Sequence, residues 1–390
     1  MADNKENKKL NVPALRFPGF EGEWEVVSLQ DIATINPKSS PLQKTFTYID
    51  LEAVEKGELR KTQEIMREEA PSRAQRVVRY NDILFQCVRP YQKNNYIHKI
   101  INTNKQQWVA STGYAQIRTT ELPNYIFHLL NTNGFNRQVI VRCTGSSYPA
   151  INSEDLAKIR FHYTPDQKEQ LKISQLLDLL DERIATQRGL IEKYESLIRG
   201  IVDDLIMSKQ RNGVIGDVCT ESEQIRAKAD IREILTVRLH GKGVCKSNAD
   251  NLQLGATQYY RRRVGQLIYG KQNFHNGAIG IVPSELDGGI TSKDIPSFDV
   301  NHNVCNSLYL MYQLLSPKFY KPAEALTTGT GSKRLKEENF LQLRIVLPPK
   351  DEQDKVASLI NKLSDIIDAE NRKLSLFRIQ KQYLLRKMFI

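Results

Sequence analysis

Residues 173–205 read ISQLLDLLDERIATQRGLIEKYESLIRGIVDDL, and residues 356–388 read VASLINKLSDIIDAENRKLSLFRIQKQYLLRKM. In the first stretch Ile173, Leu177, Leu180, Ile184, Gln187, Ile191, Tyr194, Ile198, Ile201 and Leu205 follow one another at steps of four and three. This is the a/d repeat that lays one helix against another. In the second, Val356, Ile360, Leu363, Ile367, Glu370, Leu374, Phe377, Lys381, Leu384 and Met388 repeat the pattern. Each has a polar residue at its fifth position, Gln187 and Glu370, and Lys381 is a further break whose charge is expected to snorkel outward near a helix end. A helix resting on a globular core needs only a short apolar stripe. A match sustained for about 33 residues and met twice predicts a helix pair.

Both helices open alike. Pro165 precedes Asp166 and Glu169, and Pro348 and Pro349 precede Asp351 and Glu352. A helix-breaking proline followed by acids suited to the positive helix end marks a start. The likeness extends outward as an internal repeat. Arg79–Phe85 (RYNDILF) aligns with Arg263–Tyr269 (RVGQLIY) at an offset of 184, as do Tyr125, Phe127 and Leu130 with Tyr309, Met311 and Leu314. Thr144-Gly145 and Thr328-Gly329, Ile159-Arg160 and Leu343-Arg344, and Pro165 and Pro349 share that offset, and the heptads coincide one residue earlier, at 183. The segment Trp24–Ala33 has only a weak counterpart, Asn212–Val218.

Each half is thus a globular region followed by a helix of about 40 residues, roughly 60 Å long. A globular region of about 144 residues has a radius of gyration near 14 Å, so its ends cannot lie a helix length apart. The second helix is therefore expected to run back antiparallel to the first, with Gln187 opposite Glu370. The expected fold is α/β, with two globular domains joined by two long antiparallel coiled-coil helices in a pseudo-two-fold repeat. The boundaries read as 1–12 (disordered), 13–165 (first domain), 166–209 (central helix), 210–350 (second domain) and 351–390 (C-terminal helix).

The 390 residues carry 56 Lys and Arg against 45 Asp and Glu, a formal charge of +11. That balance favours a polyanionic partner. It is not spread evenly: residues 166–206 and 351–390 together sum to −1, which leaves +12 on the rest. From Ile83 to Ser153 only Glu121 is acidic, and Asn251–Ser284 has no acid at all. No apolar run approaches the 20 or so residues of a membrane span and no signal core opens the chain, which reads as soluble and cytoplasmic. Five scattered cysteines without a C-x-x-C pair argue against a disulfide framework or structural zinc, and His302 with Cys305 lacks a second pair.

Catalytic motifs are missing. Gly241–Ser247 (GKGVCKS) is no P-loop, Phe17–Gly22 (FPGFEG) misses the cofactor loop of an amino-methyltransferase, and the sole Pro-Pro pair, at 348–349, lies in no [DN]-P-P-[YF] motif. No catalytic, cofactor-binding or metal-ligating residue is expected. Features suited to nucleic acid are present in duplicate. After the apolar segment Asp82–Val88 comes RPYQKNNYIHK, in which Arg89, Lys93 and Lys99 suit phosphates while Tyr91, Asn94, Asn95 and Tyr96 suit base edges. After the equivalent segment comes KQNFHN, with Lys271, Gln272, Asn273, His275 and Asn276. Of these, Asn94, Asn95, Tyr96, Gln272, Asn273 and His275 are the expected base readers. The TGSSYP loop with Ser146, Ser147 and Tyr148 is matched by TGTGSKR with Thr330, Ser332, Lys333 and Arg334, where small residues let backbone amides approach a phosphate. Arg261, Arg262 and Arg263 are the densest cation cluster, suited to phosphates.

The chain resembles the specificity subunits of type I restriction-modification systems. The residues that carry the resemblance are PALRFPGFEGEWEVVSLQDIA (Pro13–Ala33), DILF and QLIY, the TG loops, and the helix openings TPDQKEQLKISQLLDLLDERI (from Thr164) and PPKDEQDKVASLINKLSDII (from Pro348). The first opening departs from the family's Pro-Pro form. The resemblance covers the chain from Pro13 and implies two target recognition domains, each reading half of a split, asymmetric sequence in double-stranded DNA. It also implies helices that set the half-site gap and dock two modification (methyltransferase) subunits, with restriction (motor-nuclease) subunits completing the assembly. S-adenosylmethionine, ATP and Mg would belong to those partners, and this chain would be non-catalytic. The rival expectation is a coiled-coil scaffold whose basic domains bind RNA or acidic partners without sequence choice.

Overall fold

A computed structural model describes residues 11–101, 106–247, 257–329 and 333–390. The chain divides into two compact units, residues 1–188 with 372–390, and residues 189–371. Each unit therefore holds one globular region and a part of both long helices. Those helices are Gln167–Val202, continued by a π-helical turn at Asp203–Met207, and Lys350–Met388.

The first unit has two four-stranded sheets. One is ordered Gln63–Met66, Thr45–Ile49, Gln107–Ser111, Ala74–Val78, with Gln107–Ser111 parallel to Thr45–Ile49. The other is antiparallel throughout, ordered Ala33–Ile35, Tyr114–Thr119, Ile83–Gln86, Tyr96–Ile97. Ile83–Gln86 is buried at every position, which is why it reads as a continuous run rather than an alternation. Glu25–Ser28 pairs with Arg160–Tyr163 and so ties the start of the unit to the strand that leads into the first long helix.

The core of this unit joins Trp24, Phe85, Tyr125 and Phe135 to Ile173 and Leu177 from the start of the first helix and to Leu385, Met388 and Phe389 from the end of the second. The start of one helix and the end of the other share a core, so the two run antiparallel here. Arg183 lies 5.2 Å over the Phe377 ring, and Lys381 pairs with Asp181. Lys381 therefore does not snorkel outward: its side chain is only 19% exposed because a carboxylate of the facing helix meets it. The expected disorder of residues 1–12 fails at Asn11, whose carbonyl accepts the Trp24 N–H at 2.7 Å; residues 1–10 lie outside the described residues. Beside it, the Arg16 guanidinium forks onto Glu169 at 2.7 and 2.9 Å.

The second unit repeats the plan. Its four-stranded sheet is ordered Cys219–Glu221, Ser297–Val300, Leu267–Tyr269, Ile279–Ile281, and a second sheet holds Arg226–Ala227, Tyr259–Arg261 and Ile290–Ser292. Tyr269, Phe298 and Phe340 stack at its centre, with ring centroids 4.5 and 4.8 Å from Phe340. Val202 and Ile206 from the end of the first helix pack with Val356, Ala357 and Ile360 from the start of the second, again antiparallel.

The repeat holds at the level of single bonds. Helices Pro123–Leu130 and Ser307–Leu314 begin and end 184 residues apart, as do Ser153–Ala157 and Glu337–Leu341. The weak counterpart Asn212–Val218 is a true one. Gly213–Val214 pairs with Arg344–Ile345 as Val27–Ser28 pairs with Phe161 and Arg160, and Asp217 accepts the Val214 N–H at 2.8 Å as Asp31 accepts the Ser28 N–H at 2.7 Å. Strand pairing and one carboxylate are kept while the apolar side chains differ.

The helix seam is Ile173, Leu177, Leu180, Ile184 and Ile191 in the first helix and Val356, Ile360 and Leu374 in the second, all buried. Gln187, Tyr194, Ile198, Leu363, Ile367, Glu370 and Phe377 are half-buried. At the end of the first helix the strict heptad fails. Leu205 is 39% exposed, while Val202 and Ile206 are buried. A straight helix drifts against a seven-residue repeat, and the π-helical turn adds to the shift.

Candidate nucleic-acid interface

In the first unit the buried strand Ile83–Gln86 runs out into the two loops singled out by the sequence, and the structure brings them together. Val88 and Thr144 both bridge to Ala150, and the Arg89 N–H donates to the Pro149 carbonyl at 2.8 Å. The Arg89 guanidinium sits 4.4 Å over the Tyr148 ring. Arg89 and Lys93 are both left-handed, with φ of 54° and 55°, and bracket a 3-10 turn at Pro90–Gln92. Two non-glycine residues in that region store strain, and the turn they close presents Tyr91, 55% exposed. Ser146, Ser147 and Tyr148 are exposed, with Gly145 at φ 90°.

The amides of this loop divide by role. Asn94 is half-buried and Asn95 is 2% exposed. Asn95 accepts the Gln86 N–H at 2.9 Å and donates to Asn131 at 3.0 Å, so it holds the loop to the sheet and is not a base reader. Tyr96 is corrected likewise: it pairs with Leu84 in the sheet and is 7% exposed. Lys93 donates to Asn133 at 2.9 Å and Lys99 to Asn81 at 2.6 Å. Partial burial draws both ammonium groups below the ordinary lysine value. Both line a groove of about 950 Å³ that Asp178, Asp181 and Glu182 also line. Arg89, Tyr91, Ser146, Ser147 and Tyr148 remain as the outward set.

In the second unit the Lys271 N–H donates to the Asp294 carbonyl and the Lys271 carbonyl accepts from Leu335, both at 2.9 Å, so this loop too lies against its TG loop. Thr328 bridges to Arg334 as Thr144 bridges to Ala150. Gln272 and Asn273 are exposed, and His275 and Asn276 are half-buried. The cations here are already paired: Lys271 to Glu337 at 2.6 Å, Lys333 to Glu324 at 2.8 Å and Arg334 to Asp294 at 3.0 Å. Thr330 and Ser332 lie outside the described residues.

The arginine cluster does not act as one. Arg262 is 0% exposed, with its guanidinium donating to Thr291, Ser297 and the Ile295 carbonyl, so it cannot reach a phosphate. Alternate residues of an extended chain point to opposite faces, which leaves Arg261 and Arg263 outward and Arg262 in the core. Burial lowers the Arg262 guanidinium to about 10. Arg261 donates to the Gly288 carbonyl at 2.9 Å and lies 3.9 Å from Glu233.

One pair of elements was missed in the sequence. Val54–Glu55 and Glu58–Leu59 form a hairpin whose tip, Lys56-Gly57, is left-handed at both residues. In the second unit Leu235–Val237 and Val244–Lys246 form another, with left-handed His240-Gly241 in its turn. These tips are 184 residues apart, so a residue followed by glycine at that offset was the available signal. Each tip rests on the loop that follows the buried strand, residues 89–99 in the first unit and 271–277 in the second. Lys56 N–H donates to Asn94 Oδ1 at 3.0 Å, while the N–H groups of His240 and Gly241 donate to the carbonyls of Asn276 and Gly277 at 2.8 and 2.9 Å.

Residues 21–196 and 248–376 match the family described as type I restriction modification DNA specificity domain. The chain belongs to that family. Among type I specificity proteins, the MjaVIII specificity subunit of Methanocaldococcus jannaschii is 28% identical over 102 residues, covering 26% of this chain and 23% of that relative. A type I restriction-modification S subunit from M. genitalium shares the fold with a TM-score of 0.59 at 13% identity, over 97% of this chain and 99% of that one. A chain from a study of complex assembly and conformational transition in a type I R-M system aligns with a TM-score of 0.54 at 18% identity, over 94% and 97%. Among the described residues no helix is long and apolar enough to cross a membrane, and no three His, Cys, Asp or Glu converge to hold a metal.

Proposed function

We propose that this type I specificity chain is the DNA-reading part of a restriction-modification assembly, each unit reading one half of a bipartite, asymmetric target in double-stranded DNA. The observation that carries this reading is the convergence, in both units, of a recognition loop and a TG loop at the end of the same buried strand. The outward side chains differ between units: Arg89, Tyr91 and Tyr148 in one, Gln272, Asn273 and Lys333 in the other. Different contacts demand different half-sites. Cations and small-residue turns position the phosphates, and aromatic and amide groups address the bases.

The chain contributes no bond-making step in this reading. Two modification subunits dock on the long helices, whose outer faces carry exposed Leu179, Leu197, Leu359, Ile366, Leu376 and Ile379. Those subunits bring S-adenosylmethionine for adenine methylation, and restriction subunits bring ATP- and Mg-dependent translocation and cleavage in the cytoplasm. A competition assay tests the reading. A labelled duplex enriched from a random library by the full chain should resist a large excess of unrelated DNA at moderate salt. Equal displacement by any DNA or by RNA would favour a scaffold without sequence choice.

A further inference from the structure

The second-unit hairpin is cationic where its counterpart is not. In the first unit the tip reads Glu55-Lys56-Gly57-Glu58, and Glu58 pairs with Arg60 at 3.0 Å and with Arg188 of the long helix at 2.6 Å. That turn carries a net charge of −1 and is tethered. In the second unit residues 237–246 read VRLHGKGVCK, in which Arg238, His240, Lys242 and Lys246 are all exposed. None of the four has a carboxylate partner among the described residues, and the Arg238 guanidinium donates only to Cys245 Sγ, at 3.0 Å. Every cation of the neighbouring recognition and TG loops, by contrast, is held by a glutamate or aspartate.

The hairpin is also fixed in place. The backbone bonds from His240 and Gly241 clamp its turn to Asn276 and Gly277, next to His275. A side chain at Gly277 would come within 3.3 Å of the Gly241 nitrogen and the His240 Cα, and one at Gly280 would meet Val244 at 2.8 Å. Both glycines are therefore needed for the close approach. A rigid, cationic hairpin beside a loop of exposed amides is the arrangement that holds a phosphate backbone while neighbouring groups read base edges.

We propose that the hairpin Leu235–Lys246 is a DNA-contacting element of the second unit, with Arg238, Lys242 and Lys246 on phosphates, and that the first-unit hairpin takes no such part. The proposal rests on the DNA-reading function above. Breaking an ion pair offsets much of what a new phosphate contact gains, so the unpaired hairpin supplies the second unit's electrostatic grip while Lys271, Lys333 and Arg334 stay tied.

The test measures affinity of the full chain for its enriched duplex over a range of KCl. Arg238→Ala/Lys242→Ala/Lys246→Ala should weaken binding at least about tenfold and flatten the log–log salt slope by about 3, with single Lys242→Ala flattening it by about 1. Thermal unfolding should match that of the unsubstituted chain, and Lys56→Ala should bind within about twofold. If the unsubstituted chain selects no duplex, the DNA-reading function falls and the proposal with it. If it selects one and the triple variant binds with the same affinity and slope, the function stands and the hairpin assignment is overturned. An equal loss from Lys56→Ala would overturn the contrast between the units.

Discussion

At the residue scale, the same position does the same work with different chemistry. Asp82 accepts the Arg79 N–H at 2.7 Å and grips Arg118 at 2.7 and 2.8 Å. Its counterpart Gln266 accepts the Arg263 N–H at 2.8 Å and donates to Asp299 at 3.0 Å. Asn95 is expected to be structural: Asn95→Ala removes the acceptor of the Gln86 N–H and the donor to Asn131 Oδ1 and should cost about 1–3 kcal/mol in denaturant unfolding, while Tyr91→Ala should alter DNA binding and leave stability within about 0.5 kcal/mol. His98 gives a pH dependence. Burial lowers the imidazole from 6.5 to about 4. The unfolded chain thus binds a proton at a pH where the folded one does not, so this contribution is complete above pH 6.5 and is lost as pH falls toward 4. The loss should approach about 3 kcal/mol and be absent from His98→Gln. In the sequence these residues looked alike. RPYQKNNYIHK displays its polar character, but whether Asn95 or Asn94 faces inward depends on a strand and a left-handed turn that composition does not mark.

At the element scale, the two long helices were the most legible feature, because a heptad repeat is local and persists for nine or ten turns. The repeat misled only near the end of the first helix, where the π-helical turn carries Ile206 into the core and leaves Leu205 outside. Ile206→Ala should therefore destabilise the chain by about 2–5 kcal/mol in chemical unfolding, and Leu205→Ala by under about 1 kcal/mol. The reverse order would restore the strict heptad. The helix openings kept a Glu-Gln pair for a definite reason. Gln170 and Gln353, both 0% exposed, accept the N–H groups of Leu122 and Asn306 and donate to the carbonyls of Thr164 and Pro348. The hairpins escaped notice because strands of two or three residues leave so short a trace, and Arg261–Arg263 was overread because three adjacent charges cannot share one face of an extended chain.

At the scale of the whole molecule, duplication explains the symmetry of the parts, and the proposed asymmetry of the target rests on the outward groups that differ between them. The bonds that build each unit recur at offsets of 183 to 186 residues, whereas the outward groups of the recognition loops do not. The two halves share a frame and differ in what it presents, so exchanging one globular region should exchange one half of the recognised sequence. The most direct measurement replaces residues 207–350 with the corresponding region of a related specificity chain and reads the modified sequence by methylome sequencing of cells carrying the complete system. The expected result is a new bipartite target in which one half-site is unchanged and the other has become that of the donor. An unchanged target, or a change in both halves, would contradict two independent reading units in one chain.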